Sequence, residues 1–127
     1  MEEAFRALIL GIAAVQSQAG GRVDWGLSPQ GGAYPCISLT VINDGPIDHS
    51  LDGPGVSQAR VQVDCWAVTY RAAKVLSRAV RLALDGYQDA GFAGVLMAGA
   101  RDLQDEDGVD QIHRVSMDFT VTYHFNG

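Results

Sequence analysis

Cysteine is scarce: Cys36 and Cys65 are the two in a chain of 127 residues. Both fall inside strand-like runs, which argues against a disulfide framework or a cysteine-rich zinc site and for the reduced thiols of a cytosolic protein. Positive charge is short as well, nine Lys plus Arg against fifteen Asp plus Glu, a net charge of -6. Sequence-independent attraction to phosphates needs clustered positive charge, so stable nucleic-acid binding is not expected. Long apolar runs are missing too. The opening MEEAFRALILGIAAV starts on acidic residues and is interrupted by Arg6, and no stretch reaches membrane-spanning length, so it reads as a helix packed on a core, with no membrane partner. No internal repeat, polar tract or Gly/Ser linker divides the chain. What is present, 47% hydrophobic and 19% charged residues, is the composition of a globular protein, and the length suits one domain over residues 1–127.

Periodicity supplies the elements. Phe5, Leu8, Ile9, Ile12 and Val15 fall near one face of a helix expected over about residues 2 to 17, ended by Ala19-Gly20-Gly21. RVDWG is a short strand candidate. YPCISLTVI is a better one, with Ile37, Leu39 and Val41 alternating against Ser38 and Thr40 and with Pro35 at its start. Turn residues then make Asp44 to Gln58 a long loop. From Gln58 to Tyr87 the period changes in mid-segment. Val61, Val63 and Cys65 share one strand face, opposite Arg60, Gln62, Asp64 and Trp66. Thr69 is then placed to cap a helix whose stripe is Ala72, Ala73, Leu76, Ala79, Val80, Ala83 and Leu84, with Gly86 to end it. Phe92 to Leu103 reads as a strand weakened by Gly94 and Gly99, and HRVSMDFTVTYHF as the clearest strand of all.

Two strands share a polar spacing, Arg60 and Asp64 in one, Arg114 and Asp118 in the other. Antiparallel pairing with Arg60 opposite Asp118 sets Asp64 opposite Arg114, whereas a parallel match sets like charges together. The expected fold is therefore α+β: one mostly antiparallel sheet of about four to five strands, with two helices packed on one face and the C-terminal strand inside a split β-α-β unit.

Chemistry finds little to hold on to. Asp102 to Asp110 carries several carboxylates, but the spacing is wrong for a calcium loop, which leaves a solvated hairpin connection as the favoured reading over a metal site or an acidic interaction surface. His49, His113 and His124 lack the helical pairing of a zinc hydrolase, and His49 beside Ser50 has no nucleophile elbow. The glycines of GGRVDWG and DGPGVS are turns without the context of a phosphate loop. No catalytic, cofactor-binding or metal residue is assigned. Three residues stand out for another reason. Trp66, a large aromatic on a polar strand face, is either cover for a sheet edge or the anchor of a subunit contact. Val75 and Leu82, one heptad apart and off the main helical stripe, are favoured as a seam for a neighbouring subunit.

At RVQVDCWAVTYRAAKVLSRAVRLALDGY followed by HRVSMDFTVTYHF, the sequence resembles the tail-completion proteins of long-tailed phages, prophages and gene-transfer particles, also called tail terminators or head-to-tail joining proteins. The N-terminal helix, GGRVDWGLSPQGGAYPCISLTVI, the LDGPG loop and the order of elements agree with that family. The resemblance implies a structural protein of the virion, not an enzyme and without a cofactor. It implies a homo-oligomeric ring, usually of six subunits, that caps the tail tube and meets a head-completion or connector protein. Its partners would be copies of itself, the major tail tube protein and that connector, with DNA passing through a lumen whose carboxylates repel it. Assembly would take place in the bacterial cytoplasm. Another neck or baseplate component and an unrelated α+β binding module are the alternatives.

Overall fold

The computed structural model describes residues 2–26, 34–46, 56–89, 91–107 and 110–124. Among these residues the chain order is α1 (Glu2–Leu10), α2 (Ala13–Gln18), β1 (Val23–Trp25), β2 (Cys36–Pro46), β3 (Val56–Ala67), α3 (Tyr70–Leu84), β4 (Phe92–Asp107) and β5 (Asp110–His124). The change of period after Ala67 becomes the junction of β3 and α3. Val61, Val63 and Cys65 are fully buried on one face of β3, and Thr69 caps the helix, its Oγ1 accepting the Ala72 N–H at 3.1 Å. Such a cap satisfies one of the orphan donors of the first turn. At the other end Gly86 takes a φ of 87°, a left-handed conformation that a Cβ would strain. α3 buries Ala73, Leu76, Ser77, Val80 and Leu84. Ser77 was not part of the expected stripe; its hydroxyl donates to the Lys74 carbonyl at 3.0 Å, so it packs as a small residue with no unpaired group.

The sheet has the order β1-β2-β3-β5-β4. β1 runs parallel to β2, and the other neighbouring pairs are antiparallel. β5 therefore lies between β3 and β4, the expected split β-α-β arrangement. Its register differs from expectation. Arg60 stands opposite Thr120, Gln62 opposite Asp118, Asp64 opposite Ser116 and Trp66 opposite Arg114, a slip of two residues. An even slip leaves every side chain on its face, so the apolar pattern does not oppose it. The Arg60–Asp118 pair, with Arg60 about half exposed, is too weak to impose a register. The observed pairing instead sets the Arg114 guanidinium 4.8 Å from the centre of the Trp66 ring, a stacked cation-π contact. Arg60 still reaches Asp118 on the diagonal at 3.7 Å, with Arg101 at 3.6 Å on the other side.

Three boundaries also differ. The first helix is two, because the chain turns at Gly11 and Ile12, where Ile12 is extended (φ -77°, ψ 124°). Gly costs about 1 kcal/mol inside a helix, and breaking there lets Phe5 and Ile9 of α1 and Val15 of α2 each reach the core. α2 stops at Ala19, followed by Gly20 at φ 60°. The long loop expected from Asp44 is shorter, since Asp44, Gly45 and Pro46 continue the ladder opposite Ala59, Gln58 and Ser57. The Tyr123 hydroxyl pins that extension from two strands away, donating to the Asp44 carboxylate at 2.7 Å. Residues 47–55, the centre of the expected loop, lie outside the described residues. β4 also outruns its expected end, pairing with β5 as far as Asp107 opposite Asp110, so the acidic segment is largely strand. The glycines that weaken β4 lie where its register shifts, between Phe92 and Gly94 and between Met97 and Gly99.

The helices and the inner sheet face enclose the main core, in which Phe5 meets Trp25 and Phe92 at ring separations of 6.2 and 6.4 Å. A smaller cluster of Cys36, Trp66 and Ile112, with Tyr34 against it, sits apart on the outer face.

Candidate interaction surface

The residue types that could run a reaction are dispersed. Among the described residues no three His, Cys, Asp or Glu side chains are grouped to hold a metal ion. His49 and Ser50 lie outside the described residues. His113 packs edge-on against the Tyr70 ring at 6.0 Å, and His124 stands at the far end of the same strand. Burial raises the thiol pKa of both cysteines, Cys36 to about 11 and Cys65 further, so neither offers a thiolate near neutral pH. An apolar hollow of about 380 Å³ lies between the α1–α2 break and the end of α3, lined by Ala7, Leu8, Gly11, Ile12, Ala83, Leu84 and Tyr87. Its single ionisable group, the Tyr87 phenol, donates to Asp89 at 2.6 Å, which raises the phenol pKa and lowers that of the carboxylate. The hollow has nowhere to place an acid and a base together.

The three singled-out residues fall on two sides of the sheet. Trp66 is 6% exposed; its indole N–H donates to Ser38 Oγ at 3.0 Å, its ring lies under Arg114, and it covers Ile112 on the outer face. Val75 and Leu82 are on α3, against the inner face, 42% and 83% exposed. The structure does not bring Trp66 together with them.

Sequence reading passed over what surrounds Val75 and Leu82. α3 carries Arg71, Lys74, Arg78 and Arg81 and no acidic residue. Arg71, Val75, Arg78 and Leu82 follow one another at helical spacing along one exposed seam. The same spacing was available in the sequence, hidden because the two apolar residues were read without their basic neighbours. Lys74 sits off the seam and is occupied: its Nζ bonds Asp102 Oδ1 at 2.8 Å, and Tyr70 donates to Asp102 Oδ2 at 3.1 Å. The ammonium lowers the carboxyl pKa and the carboxylate raises that of the ammonium.

The exposed basic-apolar face of α3, beside a covered core, is a surface suited to contact. The family model for the tail completion protein gp17 matches residues 3–124. The chain belongs to the tail completion protein gp17 family. Tail completion is a structural task of a phage-like virion, so a structural tail-assembly role and a place in such a particle follow from membership. A solved chain from the "Virion of native gene transfer agent (GTA) particle" shares the fold of this tail-completion chain, with a TM-score of 0.66 over 94% of this chain and 90% of that one at 17% identity. Among curated proteins no significant match is found. No helix among the described residues is long and apolar enough to cross a membrane.

Proposed function

We propose that the chain acts as a single tail-completion domain over residues 1–127 that closes into a homo-oligomeric ring, a hexamer, on the end of the tail tube. One face of the ring meets the major tail tube protein and the other the head-completion or connector protein. The observation that carries this reading is the family match over nearly the whole chain. A tube of identical rings stacked head to tail has no internal reason to stop growing, so an end that matches the tube on one face only supplies the stop. Val75 and Leu82 are subunit contacts in this reading, and Trp66 supports the interface from the outer sheet face. The role is structural: no catalytic residue and no cofactor enters it. Net negative charge suits a ring through which DNA passes without being held, and assembly takes place in the cytoplasm of the host.

The ring is tested by mixing the purified chain with tails made without it and measuring how many copies each tail takes up. Six copies at one end, with further tube growth blocked, is the expected result; random binding along the tube would remove the reading.

A further inference from the structure

The sheet ends on two unlike edges. On β4 the chain itself closes the part nearest α3's end: Val95 N–H donates to the Tyr87 carbonyl and Met97 N–H to Asp85 Oδ1, both at 3.0 Å. Ladder groups alternate in direction along a strand. Met97 lies opposite Phe119 and, past the shift, Gly99 opposite Asp118, so the N–H and C=O of Ala100, opposite Met117, point away from β5. Among the described residues no backbone group meets them.

At the other edge β1 is three residues long. Ile37 N–H donates to the Arg22 carbonyl and Gly26 N–H to the Leu39 carbonyl, so the backbone of Asp24 faces β2 and that of Val23 and Trp25 faces outward. Val23 is already occupied: its carbonyl accepts Arg6 Nε at 2.6 Å and its N–H donates to the Gly21 carbonyl at 2.9 Å. The N–H and C=O of Trp25 have no such partner among the described residues.

The two open positions stand at the same height. One row of cross-strand partners runs Trp25, Leu39, Val63, Met117, Ala100 from edge to edge, and the row beside it runs Asp24, Ser38, Asp64, Ser116, Arg101. The second row lies on the outer face and ends in a carboxylate at one edge and a guanidinium at the other. Asp24 is exposed, and Arg101, although 3.6 Å from Asp118, is more than half exposed. Direction agrees as well. β2 is parallel to β1, and the antiparallel steps through β3 and β5 leave β4 running opposite to β1.

We infer that β4 of one subunit pairs antiparallel with β1 of the next, so that the sheet continues from copy to copy, with Trp25 and Ala100 exchanging both backbone bonds and Asp24 opposite Arg101. The inference rests on the ring reading and deepens it, naming the two unlike edges that a heterologous, ring-closing contact requires. A copy related by rotation about an axis along the strands keeps both their height and their direction, as this register needs. Ala100 is small and exposed, which leaves room beside the half-buried Trp25. The helices above the joint agree in charge. Lys74 reaches Asp102, so that flank of α3, where Arg81 follows one heptad later, lies on the β4 side. Glu2, in the acidic first turn of α1, is tied to β1 through its carbonyl, which accepts the Trp25 indole N–H at 3.3 Å. A basic flank would thus stand beside an acidic helix start. An extended segment of another protein is the competing occupant of an open edge, but a copy of this chain brings the matching height, direction and charge together.

The test is disulfide trapping across the joint. Directly opposed residues of a non-hydrogen-bonded antiparallel pair have Cα atoms about 4.5 Å apart, within disulfide reach. Asp24→Cys and Arg101→Cys are made singly and together, in a Cys36→Ser background because that thiol belongs to the outer-face cluster. The purified chains are loaded on tails made without them, oxidised with copper–phenanthroline and separated on denaturing gels, with melting temperature as the control for folding. Neither single variant should crosslink alone, their mixture should give a covalent dimer, and the double variant should give a ladder that ends at six. Ala100→Pro removes one outward donor at an edge position where proline is tolerated, and should lower uptake on tails by ~10-fold or more. Uptake of six copies per tail with no dimer from the mixture overturns the joint and leaves the ring in place. Crosslinking by Arg101→Cys alone would mean that β4 meets β4 about a two-fold axis, and overturns it too. Reduced uptake of Ala100→Pro with no dimer from the mixture overturns it in favour of another protein on that edge. A wild-type chain that forms no ring on tails removes the ring reading, and the joint with it.

Discussion

α3 has two sides that obey different rules. The inner side, Ala73, Leu76, Ser77, Val80 and Leu84, is closed against β3, β4 and β5. The outer seam, Arg71, Val75, Arg78 and Leu82, is exposed, and its arginines make no ion pair among the described residues. Fifteen residues of helix are thus divided between holding the fold and presenting a surface, and the division is drawn by the 3.6-residue period alone. The inner side accounts for the stability of the subunit. In the proposed reading the outer side is the one that meets copies and neighbours. A substitution on either side should therefore be felt in one property and not in the other.

The largest effect on stability should come from the inner side. Leu76→Ala leaves a cavity in a fully buried site and should lower unfolding stability by about 2–5 kcal/mol, read from chemical denaturation. At the boundary between the sides, Thr69→Ala removes the hydroxyl that caps Ala72 N–H and should cost about 1 kcal/mol by the same measurement. Smaller still is Asp102→Asn, which breaks the bond to Lys74. Both groups are solvent-exposed enough for screening to hold the loss below about 0.5 kcal/mol. Its pH signature has a definite sign. The Asp102 pKa is lowered from 3.8, so its contribution is present above that value and disappears as pH falls through the lowered folded pKa. Lys74 is raised from 10.5, so its share is present below that value and disappears as pH rises through the raised one. The difference between wild type and Asp102→Asn should accordingly vanish at both extremes. The smallest change in stability belongs to the outer side, where Leu82→Asp should leave the denaturation curve within about 0.5 kcal/mol of wild type and yet weaken assembly. A destabilisation like that of Leu76→Ala would erase the distinction between the two sides.

Legibility followed the same division. The position of β5 between β3 and β4 followed from a charge spacing whose register the structure does not keep, whereas the junction of β3 and α3, the Thr69 cap and the Gly86 stop could be read because each depends on apolar period or on a residue with one conformational use. The register of β5 could not, because a slip of two residues leaves the apolar faces unchanged and the decisive contact, Arg114 over Trp66, joins residues with no sequence period in common. The break at Gly11 was masked by an apolar stripe that passes through it, and the lengths of β2 and β4 by turn-forming residues that the ladder accommodates at its ends. Of the surface, Val75 and Leu82 were visible as apolar residues out of place. The arginines beside them went unread, and their place emerges only with Lys74 paired with Asp102 and with Arg71 and Arg78 in no ion pair among the described residues.

The central claim, that this chain completes the tail, is tested most directly by electron microscopy of particles made in a producing cell from which the chain has been deleted. The account predicts DNA-filled heads and tails that remain unjoined, with some tubes abnormally long, and recovery of both defects when the chain is supplied again. Joined particles with tails of normal length would contradict it.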